Sequence, residues 1–367
     1  MFVVLVAVAE ACAAQGAGTD PGSGDLGTGL GGNTSTSADG GEKSNSGSSG
    51  DVGEGTGSGG TSSSSGSGSH PTGSSSGTSS SSSSSSGSSS SSSSSGQVPD
   101  NGGTTPTMLP AVSGTCPTFA AGAGSTVTIT AGSGSIQAQV WAGSPSGGGP
   151  LILYWHGTAS SPMGEIPISF DTDAVSAAGG LIVGFNANSR TGTTTGNTGD
   201  NVWYQSDAAF ADQTVACAIK QYKIDPRHIH TAGYSAGGLQ TVYMWFARSG
   251  YIASVISYSG GDSTINKAAM QDPSNIAPAI AAHGAMGSDQ LVLDFAQASA
   301  TWEGEIKTAG GFSIDCNDGG SHLDFFTKRA PPLKPVAWQF FKDHPFKVKP
   351  EPYTSLPSGF PTYCKID

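Results

Sequence analysis

The run LILYWH at 151–156 is apolar until its final histidine, and similar short runs recur at 181–185, 252–258 and 277–283. A strand that is apolar on both faces belongs in a sheet that is covered on both faces. Between these runs lie segments with helical spacing. Over Ser206–Tyr222, the residues Ala211, Val215, Ala218, Ile219 and Tyr222 share one face, and Asp225-Pro226 ends the segment. Further helices are expected at Asp173–Ala178, Asp289–Thr308 and Pro335–Asp343, with a last strand at Phe312–Ile314. Ser125–Thr130 and Ser135–Trp141 alternate as the arms of a hairpin, and Asn186–Asn201 reads as a Gly/Thr/Asn loop. Strands alternating with helices predict an α/β fold with a mostly parallel central sheet and helices on both faces. Ligands in such folds bind at the carboxyl ends of the strands, so chemistry is to be sought just after each one.

This pattern is confined to the later part of the chain. Residues 17–110 are mostly Ser, Gly, Thr and Asp, a composition that cannot bury enough apolar surface to offset its ordering entropy. They are expected to be a disordered spacer, and 111–367 a single domain of about 255 residues with a sizeable core. Of the formal charge of −12, the first 110 residues carry eight acids against Lys43 alone, or −7, and the rest carries −5. Nothing basic points to nucleic acid. Residues 1–16 are apolar, then small, like an export signal without its basic start, and too short to span a membrane. Export suits four of the five cysteines, Cys116, Cys217, Cys316 and Cys364, which can form two disulfides by three connectivities. Cys12 follows Ala11 and has two readings, a lipidated membrane anchor or part of a discarded signal. A secreted or cell-surface location follows from either.

The stretch HIHTAGYSAGGLQTVYMWFARSG, 228–250, reads as strand, sharp turn and helix with Ser235 at the apex. Gly233-Tyr234-Ser235-Ala236-Gly237 fits G-x-S-x-G. Glycines two before and two after the serine let neighbouring backbone pass a strained turn without a Cβ clash. The hydroxyl then stands above the sheet, with the N–H of Ala236 directed to where an acyl oxyanion would form. Leu239, Val242, Tyr243 and Phe246 follow at helical spacing.

Other strand ends carry complementary groups. His156-Gly157-Thr158 follows LILYW. Its glycine permits close backbone approach, and the N–H of Thr158 can be a second oxyanion donor; His156 itself reads as structural. His283-Gly284-Ala285-Met286-Gly287-Ser288-Asp289 follows the 277 strand. Asp289 either orients an imidazole or caps the next helix. Asp262 and Asp294 are reserve acids, Asp294 falling within that expected helix. Cys316-Asn317-Asp318-Gly319-Gly320-Ser321-His322 follows the last strand, and a Gly-rich loop can bring His322 to a serine as general base. Trp203 and Tyr204 close the 186–201 loop, either as stacking surfaces for a substrate or as packing residues.

Ser235, Asp289 and His322 stand in the chain order of an α/β-hydrolase. GYSAGG, YWHGT, the HG…D segment and GGSH together resemble that superfamily over roughly 145–345. IDPRHIHTAGYSAGG is similar to the secreted esterases grouped with polyhydroxybutyrate depolymerases, feruloyl esterases and acetyl xylan esterases. The resemblance implies Ser235 as nucleophile, His322 as base, Asp289 as orienting acid, and Thr158 and Ala236 as oxyanion donors. It implies an exported serine esterase, with polymer ester, feruloylated or acetylated polysaccharide and small ester all open as substrates. The competing reading is a surface-displayed binding module on the same fold without catalysis. Oligomeric state is not legible. No metal-ligand motif, phosphate-binding glycine loop or dinucleotide fingerprint stands in the sequence, so no cofactor is expected.

Overall fold

The computed structural model describes residues 102–145 and 147–367. The expected export signal at 1–16, Cys12 and most of the 17–110 spacer lie outside those residues. From Gly103 onward the chain is already held to the domain. Thr104 N–H donates to Phe346 O at 2.8 Å, and Pro106 is buried.

Among the described residues one sheet of nine strands dominates. The strands, in chain order, are β1 (Gly122–Ala131), β2 (Gly134–Ala142), β3 (Leu151–Trp155), β4 (Leu181–Thr191), β7 (Ile229–Tyr234), β8 (Ser254–Tyr258), β9 (Ala279–His283), β10 (Ser313–Asn317) and β11 (Cys364–Ile366). In space they run β1-β2-β4-β3-β7-β8-β9-β10-β11. The strands from β4 across to β10 pair in parallel, and β1, β2 and β11 are antiparallel. A separate two-stranded ribbon joins β5 (Asn197–Gly199) to β6 (Trp203–Tyr204).

Helices cover both faces, and the alternation along β3 shows how. Leu151, Leu153 and Trp155 pack into one core with residues of α3 (Ala208–Cys217), α4 (Ala236–Ala247) and α5 (Phe295–Thr308). Ile152 and Tyr154 pack into the other with α1 (Pro162–Ser169), α2 (Thr172–Ala177) and α6 (Ala330–Asp343). The sheet of an α/β fold was expected from its two-sided apolar strands, and it is present.

Several boundaries differ from the sequence reading. Helix α1 was not foreseen, because two prolines and a glycine stand in SPMGEIPIS. Pro162 occupies the first helical turn, where its missing N–H costs nothing, and Ser161 caps it by accepting from Gly164 N–H. Strand β4 runs on to Thr191 into the expected loop, paired with β2. Helix α5 begins at Phe295 rather than Asp289, with Asp294 as its cap.

The disulfides are Cys116–Cys217, with a sequence separation of 101, and Cys316–Cys364, with one of 48. The first ties the chain ahead of β1 to the end of α3. The second staples directly opposed residues of β10 and β11. In the chain-entropy model, closing loops of this length contributes about 4–5 kcal/mol each.

Candidate active site

The chain winds outward in one direction from β3 to β4, then returns to β7 on the other side of β3. Such a reversal leaves a crevice at the carboxyl ends of the strands flanking it. Those two ends carry His156-Gly157-Thr158 and Ser235.

Ser235 lies between β7 and α4 with φ 57° and ψ −121°, a conformation that an L-residue adopts only under constraint. The constraint comes from close packing. A Cβ on Gly237 would stand 1.9 Å from Trp155 O, so only glycine lets α4 start this near β3. The Ser235 N–H is held by Tyr258 O at 2.9 Å. Ala236 is the first residue of α4, and its N–H has no partner within the helix.

The late loop brings His322 to this turn. Its Nε2 lies 2.8 Å from Ser235 Oγ, and its Nδ1 lies 2.7 Å from Asp289 Oδ1. The ring is clamped between Phe295, at a centroid distance of 4.3 Å, and Tyr234, at 5.0 Å. Tyr234 also donates its hydroxyl proton to His322 O at 3.0 Å. Ser235 is 7% exposed and His322 3%, so the pair is recessed but reachable at the oxygen.

Asp289 is wholly buried and fully engaged. Its Oδ2 accepts from Gly284 N–H at 2.8 Å and from Ser259 Oγ at 3.0 Å, and it stands 3.5 Å from Arg329 Nη1. Burial alone would raise its pKa, but the His322 hydrogen bond and the Arg329 charge outweigh burial and hold the carboxyl below its ordinary range. The capping role that competed for Asp289 belongs to Asp294, which accepts from Gln297 N–H at 3.0 Å. Asp262 is paired with Lys267 at 3.2 Å.

Two buried charged residues that the sequence did not single out support this array. Arg329 is completely buried and binds Asp318 through Nε at 3.0 Å and Nη2 at 3.1 Å; its Nη1 bonds Ser259 Oγ. Glu165, on α1, accepts from Gly157 N–H at 3.0 Å and from Tyr154 Oη at 2.9 Å. It therefore fixes the turn bearing Thr158, and a Cβ on Gly157 would lie 3.2 Å from Ser235 Cβ, so this turn abuts the serine. Burial pushes Glu165 up to about 7, against the hydrogen bonds it accepts from Ser160, Gly157 and Tyr154. The Thr158 hydroxyl donates to Asp200 at 3.2 Å, leaving the backbone as the part of Thr158 to consider beside Ser235.

His156 is structural. Its Nδ1 donates to Gly157 O at 2.7 Å, and its Nε2 accepts from Ala187 N–H at 3.1 Å, which fixes a neutral ring. Burial lowers its pKa to about 4. Trp203 does not offer a stacking surface: it has no exposed area, donates its indole N–H to His156 O at 2.8 Å and packs on Trp155. The Tyr204 ring is covered by the Arg190 guanidinium at 4.8 Å, and its hydroxyl donates to Asn201 O at 2.9 Å. Trp203 is thus enclosed, whereas Tyr204 is half-buried with Arg190 against its ring.

No family model and no curated protein matches the chain. Among solved structures, a serine-to-cysteine variant of pOPH in complex with DMSO superposes with a TM-score of 0.50 at 16% identity, covering 69% of this chain and 96% of that one. A serine-to-alanine variant of pOPH with pNPB gives 0.50 at 15% identity over 70% and 97%. A thermostable esterase gives 0.45 at 13% identity over 60% and 63%. The likeness is one of fold: the chain has the α/β-hydrolase fold.

Proposed function

We propose that this chain, an α/β-hydrolase by fold, is an exported serine esterase that cleaves carboxylic esters through an acyl-enzyme. The observation that carries the reading is the continuous Ser235–His322–Asp289 hydrogen-bond chain, 2.8 Å and 2.7 Å long, ending at a strained serine above a helix N-terminus. In this reading His322 Nε2 takes the Ser235 proton as Oγ attacks the ester carbonyl. The tetrahedral oxyanion is received by the N–H groups of Ala236 and Thr158. His322 then gives its proton to the leaving alcohol. Water repeats the sequence on the acyl-enzyme and releases the acid. Asp289 stays ionised and stabilises the imidazolium.

Met286, Leu291, Val292 and Leu323 are exposed, and they lie on the two loops that carry Asp289 and His322. Exposed apolar side chains on these loops support an apolar ester, such as a polyhydroxyalkanoate, ahead of a heavily hydrated polysaccharide. The two disulfides support an oxidising, extracytoplasmic location. No helix among the described residues is long and apolar enough to cross a membrane. Membrane attachment through Cys12 remains part of the proposal.

The test is labelling with a fluorophosphonate probe together with p-nitrophenyl acetate turnover. Wild type should be labelled, and Ser235→Ala should not. Ser235→Ala and His322→Ala should each lower turnover by about 10³-fold or more, and Asp289→Asn by less. A folded wild-type protein that takes no label would overturn the esterase reading in favour of a binding module.

A further inference from the structure

A second cluster of chemistry-bearing side chains lies on the α5 side of the sheet, apart from the serine. His283 ends β9, Asp315 is central in β10, and Glu303 projects from α5. Asn317 is the register partner of His283, so Asp315, two residues earlier, presents its side chain on the same face as His283. One ligand atom from each of the three residues lies within 4.8 Å of the other two, and His283 Nε2 is 3.1 Å from Asp315 Oδ1. None of these residues is needed for the serine chemistry.

From this arrangement we propose that His283, Glu303 and Asp315 bind one divalent transition-metal ion of the zinc class. His283 is only 5% exposed, and its Nδ1 donates to Gly284 O at 2.7 Å. A carbonyl can only accept, so Nδ1 carries a proton and Nε2 is the atom turned toward the carboxylates. Orientation by a backbone carbonyl is the usual support for a metal-binding imidazole. Glu303 is 6% exposed, and its Oε1 is buried without a hydrogen-bond partner among the described residues. A buried carboxylate oxygen left unmatched is costly, and a cation removes the cost. The other charges near the cluster are Lys365, largely exposed, whose Nζ touches Asp315 Oδ2 at 3.2 Å from the rim, and Asp367, whose carboxylate acts on Glu303.

The donor set selects the ion. One imidazole with two carboxylates suits Zn²⁺ or Mn²⁺, whereas Ca²⁺ and Mg²⁺ favour all-oxygen shells. Ligands at 2.0–2.2 Å in a tetrahedron stand roughly 3.4 Å apart. The His283–Asp315 pair, at 3.1 Å, is close to that spacing, and the Glu303 oxygen lies within 4.8 Å of both. The ion would clamp β9, β10 and α5 together one residue before Gly284, whose N–H holds Asp289. Its role is thus to stiffen the acid-bearing loop, and it stands whether or not the serine proposal does.

The full chain, treated with EDTA and dialysed, would be titrated calorimetrically with Zn²⁺ and, separately, with Mn²⁺ at neutral pH. One Zn²⁺ per chain is expected, and free Zn²⁺ at about a hundred times Kd should raise Tm by roughly 5–10 °C. His322→Ala removes the competing imidazole of the serine site and should retain that stoichiometry. Glu303→Gln and Asp315→Asn, the latter at a partly exposed position and so the safer for folding, should each weaken binding at least about tenfold. Absence of binding, wild-type affinity in both carboxylate variants, or loss of binding in His322→Ala would each overturn the assignment.

Discussion

Glu165→Gln isolates one buried carboxyl. Glu165 has no exposed surface, and burial moves its ionisation from the ordinary 4.5 to about 7. The folded protein therefore holds this proton more tightly than the unfolded chain does. The resulting stability is full below pH 4.5 and is lost as pH rises to about 7, above which nothing more changes. At 1.36 kcal/mol per pH unit the loss is about 3 kcal/mol. Glutamine never ionises, and its amide can still accept from Gly157 N–H and meet the Tyr154 hydroxyl. The Tm of Glu165→Gln minus that of wild type should therefore rise by roughly 6–12 °C between pH 4 and pH 8, at 2–4 °C per kcal/mol. Asp207, raised to about 6 by burial, and Glu303, raised to about 8 by burial and Asp315, titrate over the same range but are common to both proteins and cancel. Melts followed by circular dichroism at half-unit pH steps make the measurement. A difference flat within about 2 °C would show that Glu165 ionises normally and does not hold the Gly157 turn from a dry site.

Arg329→Met strands Asp289 and Asp318 without their buried counter-charge, and breaking such a pair costs about 3–5 kcal/mol. Tm should fall by roughly 6–20 °C, and a fall under 2 °C would refute the bridging role. The depressed Asp289 carboxyl contributes stability that is present above pH 3.8 and lost as pH falls below it. In Arg329→Met that depression is weakened, so the stability deficit of the variant should be largest near neutral pH and shrink as pH falls below 3.8. Replacing Cys116 and Cys217 together by serine opens a loop spanning 101 positions and should cost about 4–5 kcal/mol by denaturant titration; an unchanged midpoint would show that the bond constrains nothing.

What the sequence made legible was whatever is written locally. The two-sided apolar strands announced a covered sheet, and G-x-S-x-G announced the turn at Ser235, because each glycine answers a clash within a few residues. The order Ser235, Asp289, His322 was readable because each follows a strand. Arg329 and Glu165 were not, since Arg329 meets Ser259 and Asp289 only when the ends of β8 and β9 come together, and Glu165 meets Tyr154 and Gly157 only when α1 packs back on β3. Trp203 was ambiguous for the same reason: an aromatic residue closing a polar loop looks available until β3 and β4 surround it. Asp289 and Asp294 are five residues apart, and only the true start of α5 decides which is a cap. The His283–Glu303–Asp315 grouping has no motif spacing at all, being assembled from two strands and a helix.

The Cys116–Cys217 bond also decides where a mechanical load would travel. A pull applied upstream of Cys116 reaches α3 through sulfur before it can peel β1 from β2. The bridged segment, with its sequence separation of 101 residues, stays out of the extension. On the order of 350 Å of contour length is thereby withheld from a stretched chain. A domain fastened to a surface by its leading end would bear shear on a covalent strut, leaving the hairpin at the sheet's margin unloaded.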